Sequence, residues 1–68
     1  MRIEYDPGAD AAYICIADEI DAGGVARTCP CDPAEVGRMI NLDFDANAWF
    51  IGIEIMDATG PLPEDVLA

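Results

Sequence analysis

The residues whose spacing most resembles a chemical site lie between Asp43 and Glu54. Asp43, Asp45 and Asn47 stand two residues apart, and Glu54 is the twelfth residue counted from Asp43. An EF-hand loop places calcium ligands of these types at positions one, three, five and twelve. The spacing therefore supports one functional hypothesis, a divalent-metal site formed by Asp43, Asp45 and Asn47.

The flanking sequence favours a different structure for this stretch. The sixth position of an EF-hand loop is a glycine that allows a sharp turn, and here that position is Ala48. An EF-hand loop also lies between two helices, whereas residues 38–42 alternate in polarity and residues 55–58 form a bend. We therefore interpret residues 43–54 as part of a polar β-hairpin and keep metal binding as the alternative function.

The fourteen carboxylates invite an acid–base interpretation that the rest of the sequence does not support. Asp6, Asp10, Asp43 and Asp45 would cluster if their two turns lay at the same end of the sheet, where they could also hold a cation. The chain has no histidine, and no nucleophile stands beside a base. We therefore predict that the protein is not an enzyme and uses no cofactor.

The cysteines form a second candidate for metal or redox chemistry. Cys29-Pro30-Cys31 is a closely spaced thiol pair, but a structural zinc site usually has four Cys or His ligands. Without histidine, only Cys15 remains to join the pair. The simpler interpretation is three free thiols that act as small apolar residues in a reducing compartment.

Length and charge limit the classes of partner. Sixty-eight residues form one small domain, residues 1–68, and a chain this short is marginally stable unless something supplements its core. Three basic and fourteen acidic residues give a net charge of −11, which excludes nucleic acids and anionic membranes and favours basic proteins. With no signal peptide and no apolar stretch that could span a bilayer, we expect a cytoplasmic protein.

Two alternating stretches predict a central hairpin. Ile40, Leu42 and Phe44 recur with the period of two of a half-buried strand. A second set with the same period is Trp49, Ile51, Ile53 and Ile55. We expect Asn47 to adopt the left-handed conformation that the connecting turn needs.

The remaining segments predict short elements around this hairpin. Residues 2–5 and 11–17 read as a first hairpin. Residues 25–31 are a candidate third strand, and because Pro30 lacks an N–H group that strand would lie at a sheet edge; the sequence alone does not decide whether it pairs into the sheet. Asp32-Pro33 predicts one helical turn that Gly37 ends, and residues 63–67 predict a short C-terminal helix. The expected fold is α+β, a small antiparallel β-meander of four or five strands with that helix.

Three large side chains are candidates for an interface. Tyr13, Met39 and Phe50 fall on the face opposite the Ile and Leu residues of their strands. A single short helix can cover one face of a sheet, so a second face with these side chains needs a partner. We expect dimerisation or partner contact through Tyr13, Met39 and Phe50.

Two motifs resemble a known family. Residues 5–14 are similar to its opening pattern Tyr-Asp-x-x-x-Asp-Ala-x-Tyr-Ile, and residues 40–45 with 51–55 and Ala58 are similar to its closing acidic hairpin and Val/Ile-Gly-Ile-Glu-Ile. The family is the small bacterial domain of unknown function 2283, and the chain departs from it in a longer stretch over residues 28–37 and in having Asn47 for the usual hairpin glycine. The resemblance implies a small antiparallel sheet with a short helix, no assigned catalytic site and an antitoxin or partner-binding role.

Charge, apolar pattern and resemblance together lead to one functional expectation. We expect a non-enzymatic interaction module that forms a homodimer, acts as the acidic, antitoxin-like partner of a basic protein, or does both.

Overall fold

The computed structural model describes residues 1–21 and 23–67. Its elements are five strands and two short helices: β1 Arg2–Asp6, β2 Ala11–Cys15, β3 Arg27–Pro30, α1 Pro33–Val36, β4 Ile40–Phe44, β5 Phe50–Met56 and α2 Glu64–Leu67. The predicted first and central hairpins are therefore confirmed, and the candidate third strand, whose pairing the sequence left open, forms β3 at the edge of the sheet.

The order of the strands differs from the predicted meander. The strands form one antiparallel sheet in the order β1-β2-β5-β4-β3, so the last strand lies in the middle. A meander would place β3 beside β2. Instead β5 occupies that place, because Ile51, Ile53 and Ile55 make it the most apolar strand and the centre of a sheet buries most surface.

The predicted α+β class is wrong, because the protein is mainly β. Each helix has only four residues, about one turn, which is too short to form a layer against a sheet. Local capping was predicted correctly: the Asp32 side chain accepts a hydrogen bond from the Ala34 N–H, and Gly37 ends α1 in the left-handed conformation with φ 83°.

Register assigns each strand residue to one of two faces. Tyr13 pairs with Glu54 and Cys15 with Gly52, while Ile14 pairs with Ile53. Because side chains alternate, one face of the sheet is polar and the other apolar. The polar face carries Arg2, Glu4, Asp6, Tyr13, Thr28, Asn41, Asp43 and Glu54; the apolar face carries Ile3, Tyr5, Ala12, Ile14, Cys29, Ile40, Leu42, Phe44, Ile53 and Ile55.

The core lies at one end of the apolar face. Ala12 and Ile55 are buried there under Ala58, which is fully buried, and Leu62 packs beside them. The chain segment that follows β5 therefore covers this end of the sheet, where a C-terminal helix was expected to provide the cover.

The central hairpin turns differently from the prediction. Ala48, with φ 64°, adopts the left-handed conformation expected of Asn47, and the Asp45 carboxylate fixes the turn by accepting from the N–H groups of Asn47 and Trp49. Trp49 precedes β5 and is 69% exposed, so it does not share the inward face of the isoleucines. A bulge at Ile51 also shifts the register, which sets Phe50 opposite Phe44.

A hydrogen-bonded cluster fastens the covering segment to the first hairpin. Tyr5 donates to the Asp10 carboxylate at 2.8 Å, and Thr59 donates to it from its hydroxyl at 2.9 Å and its N–H at 3.2 Å. The Ala58 N–H donates to the Asp10 carbonyl at 2.9 Å. The bonds from Tyr5 and then Thr59 lower the pKa of Asp10 below its ordinary value, because they stabilise the charged form.

We expect Asp10→Asn to lower the melting temperature at neutral pH. A lowered pKa in the folded state means that Asp10 contributes stability above its unfolded pKa and loses it as pH falls through the folded one. The difference from the wild type should therefore shrink as pH falls below the ordinary aspartate pKa of 3.8. Thermal melts across pH measure it. Asp21→Asn removes the same charge from an exposed loop, and an equal loss there would contradict the explanation.

Candidate interaction surface

The polar face is centred on a hydrogen bond between Tyr13 and Asp43. The Tyr13 hydroxyl, on β2, donates to one carboxylate oxygen of Asp43, on β4, at 2.8 Å. The Thr28 hydroxyl, on β3, donates to the other oxygen at 2.7 Å. Asp43 is 8% exposed, so these two donors satisfy a carboxylate that has little contact with water. Three strands are joined through this one side chain.

Gly52 makes the contact between Tyr13 and Asp43 possible. It lies on β5, between the strands that carry them, and the tyrosine ring crosses directly over it. A Cβ atom at position 52 would overlap the Tyr13 hydroxyl, so a side chain there would displace the ring. Burial, followed by the hydrogen bond and charge of Asp43, raises the pKa of Tyr13 above its ordinary value.

We expect Tyr13→Phe to destabilise the fold by about 1.5 kcal/mol, because it removes one of two donors to a buried carboxylate. Tyr5→Phe is the matched control, since it removes a similar bond to Asp10 at a more exposed site and should cost less. Urea unfolding of both variants measures the difference. Because the pKa of Tyr13 is raised in the folded state, its contribution to the free energy of unfolding is fully present below about pH 10 and is lost at higher pH. Equal losses in the two variants would contradict the central role of Tyr13.

The apolar face is incompletely covered. One row of paired residues runs straight across the sheet, from Ile3 through Ile14, Ile53 and Leu42 to Cys29. Ile3 is exposed and the other four side chains are only partly buried, although the row crosses the middle of the sheet, where an isolated domain would normally be most buried. Beside the row, Phe50 is 41% exposed and packs against Phe44 with ring centres 5.5 Å apart.

The two edge strands differ in how they present their backbone. Ile16 donates its N–H to the Ile51 carbonyl, so even-numbered residues at this end of β2 bond to β5 and odd-numbered ones bond to β1. On β1 the outward backbone groups therefore belong to Ile3 and Tyr5. By the same reasoning from Cys31 and Ile40, the outward positions of β3 are Thr28 and Pro30.

The three candidate interface residues lie in different environments. Tyr13 belongs to the polar network, and Phe50 lies on the apolar face because the bulge sets it opposite Phe44. Met39 precedes β4 and is 57% exposed. The structure therefore does not bring Tyr13, Met39 and Phe50 together on one face.

The carboxylates considered for metal binding are engaged in hydrogen bonds. Asp43 accepts from two side chains, and Asp45 accepts from two backbone N–H groups of its own turn. Asp6 and Asp10 lie at the opposite end of the sheet from Asp45, because residue 11 pairs with residue 56. Among residues 1–21 and 23–67, no three Asp, Glu, Cys or His residues are grouped closely enough to hold a metal ion.

The cysteines lie on different faces. Cys15 is buried on the polar side, where Arg2 approaches its sulfur at 3.6 Å. Cys29 and Cys31 are free, partly buried thiols two residues apart along the β3 edge, and both belong to the apolar side.

Sequence reasoning missed the open row of the apolar face. It assigned the Ile and Leu residues to a covered core, because local alternation shows which residues share a face but not whether the chain is long enough to cover it. The shortness of the predicted helix was the available signal.

Fold and surface define the class of protein: a single antiparallel sheet with one hydrogen-bonded polar face and one partly open apolar face. Within that class, the chain belongs to the family described as "Protein of unknown function (DUF2283)", whose model matches residues 2–58. Neither a curated protein nor a solved structure matches the chain. In the part of the chain that the structure describes, no helix has the length and apolar character needed to cross a membrane.

Proposed function

We propose that the protein is a non-enzymatic interaction module that dimerises through its apolar face. The observation that carries this proposal is the incompletely buried row from Ile3 to Cys29, five apolar residues in register across the sheet. Two such sheets packed face to face, about 10 Å apart, would form a β-sandwich with the row inside.

The distribution of charge supports a second copy as the occupant of this face. All four acidic residues within the described strands, Glu4, Asp6, Asp43 and Glu54, lie on the polar face. Two copies can therefore bring their apolar faces together while these carboxylates point away from each other. A net charge of −11 then opposes dimerisation less than it would for a random arrangement.

The area of the apolar face limits the expected strength of the face-to-face dimer contact. With strands about 4.8 Å apart and about 17 Å long, the apolar face of one copy covers roughly 400 Å². A stable interface usually buries about 800 Å² per partner. The contact is therefore weak when it acts alone, and its dissociation constant should lie in the micromolar range or above.

We expect Leu42→Lys to prevent the face-to-face contact, because the dimer would then have to bury an unpaired ammonium group in the middle of the row. Sedimentation equilibrium should show the dissociation constant rising on the order of 100-fold. The substitution makes the net charge less negative, so added repulsion cannot explain a loss of mass. Far-UV circular dichroism confirms that the sheet is retained.

Asn41→Lys is the matched control for this experiment. Asn41 is the neighbouring residue of β4 on the opposite face, where it bonds to Glu54, and a lysine there can pair with the same carboxylate. If Asn41→Lys reduced the mass as much as Leu42→Lys, or if neither variant changed it, the apolar face would not be the contact.

The outward polar face of such a dimer is the part that we propose binds a basic protein. A shallow cleft of about 260 Å³ on this side is lined in part by Glu4, Asp6, Tyr13 and Glu54. Its carboxylates offer acceptors to Lys and Arg side chains, and the charge of the whole chain would attract such a partner. This is the chemistry expected of an antitoxin-like partner.

Native mass spectrometry of protein recovered gently from its own cells tests this second contact. We expect a complex with a basic protein that dissociates as salt is raised, because the attraction between exposed charges is screened. The pair Asp6→Asn with Glu54→Gln should weaken the complex, whereas Asp32→Asn with Glu35→Gln, which removes equal charge around α1, should not. A complex that is insensitive to salt would contradict the electrostatic contribution.

Metal binding through Asp43, Asp45 and Asn47 is not favoured as a second function. The Asp43 carboxylate already accepts two hydrogen bonds in a nearly buried position, and a cation there would have to displace Tyr13 or Thr28.

A further inference from the structure

We infer that β1 is a second self-association site, at which the β1 strand of another copy adds antiparallel to the sheet edge and makes one continuous ten-stranded sheet. This contact uses the strand edge and so does not depend on the face-to-face contact proposed above.

The two edges of the sheet are not equally able to accept a strand. An edge strand presents unpaired N–H and C=O groups that another strand can use. On β3 one of the two outward positions is Pro30, which has no N–H to donate. β1 contains no proline, and its outward groups, on Ile3 and Tyr5, form an unbroken donor and acceptor set.

The geometry of an antiparallel ladder limits the pairing of β1 with itself to three registers. Outward-facing residues must oppose outward-facing residues, so Ile3 meets Ile3, Ile3 meets Tyr5, or Tyr5 meets Tyr5. The second register places Glu4 opposite Glu4, and the third places Glu4 opposite Asp6. The third register therefore contains only like-charge pairs, which destabilise a strand pair. The second also places Arg2 opposite Asp6 twice, but it sets the two Glu4 carboxylates against each other at its centre, whereas the register centred on Ile3 contains no like-charge pair.

The register centred on Ile3 is complementary at every position. Arg2 then faces Glu4 of the second copy, and Glu4 faces its Arg2, so two ion pairs form on the polar side. Within one chain Arg2 already lies 3.2 Å from Glu4, so the four charges would alternate in sign. On the apolar side Ile3 meets Ile3, and Met1 meets Tyr5.

Exposure at this edge supports the same register. Met1 is 84% and Ile3 is 42% exposed, and both lose water contact when the second strand is added.

The two-fold axis of this pair stands perpendicular to the sheet, so the two apolar faces lie on the same side and form one surface twice as wide. The contact is isologous and closes after two copies.

A charge swap tests the pairing. Sedimentation equilibrium is carried out on the full chain without an N-terminal tag, in the Leu42→Lys background, so that the face-to-face contact does not contribute. Arg2→Glu should weaken the remaining dimer by about tenfold or more, because both ion pairs become repulsive. Arg2→Glu together with Glu4→Arg should restore it, because the opposite charges face each other again.

Two controls separate the pairing from other causes. Ala34→Glu with Ala46→Glu adds the same two negative charges at exposed positions away from β1 and should weaken the dimer less than Arg2→Glu. Amide hydrogen exchange reports the backbone directly: the Ile3 and Tyr5 N–H groups should become protected as concentration rises, while that of Thr28 should not.

Several results would overturn the inference. One is a Leu42→Lys protein that stays monomeric up to about 1 mM. Another is a double variant, Arg2→Glu with Glu4→Arg, that dimerises as weakly as Arg2→Glu alone. A third is exchange of the Ile3 and Tyr5 amides that is equally fast at all concentrations. Protection of these amides only by a different protein would assign the edge to that protein and overturn self-pairing. If Leu42→Lys lowers the mass of the assembly while the β1 edges still pair, the result supports both proposals. If Leu42→Lys leaves the mass unchanged, the result contradicts only the face-to-face contact.

Discussion

The register between β2, β5 and β4 is the constraint on which the other features of this protein depend. Gly52 is opposite both Cys15 and Asp43, and this position lets the Tyr13 ring cross β5 to reach the Asp43 carboxylate. A slip of one residue in the strand pairing would place a larger side chain under the Tyr13 ring and turn the Asp43 carboxylate toward the apolar side. The network therefore selects one register, and that register separates the acidic side chains of the strands from the apolar ones.

Local features of the structure were predictable from the sequence because each depends on a few neighbouring residues. The period of two identified the central hairpin, and Asp32-Pro33 with Gly37 identified α1. The missing N–H of Pro30 indicated that a strand there would lie at an edge, as β3 does, although it did not show that the strand pairs. Each of these signals acts within one or two turns of the chain, so tertiary structure had little opportunity to override it.

Long-range features were not predictable in this way. The pairing of β2 with β5 joins residues about forty positions apart in the chain, and no local pattern encodes it. The bulge at Ile51 reverses the face assigned to Phe50, and Trp49 lies outside the strand, so the predicted interface of Tyr13, Met39 and Phe50 is divided among three environments. A helical layer was also expected where two residues after β5, Ala58 and Leu62, provide the cover.

The residues that carry the family resemblance have structural explanations here. Tyr5 and Asp10 fasten the segment after β5, Tyr13 joins three strands, and Ala58 fills the covered end of the core. Their hydrogen bonds and packing explain these residue types without reference to a reaction. A functional role is therefore better sought in surfaces that the signature residues leave open, which are the apolar row and the β1 edge.

The two proposed contacts would strengthen each other. The apolar face of one copy, roughly 400 Å², is too small for a stable contact. Pairing through β1 would set two such faces side by side, with Ile3 of each copy at the seam, so that the combined face reaches the size of an ordinary interface. A 68-residue chain whose described residues form no second layer would in this way obtain a complete core only as an assembly. The acidic side chains of the strands would remain on its outer surface, free to meet a basic protein.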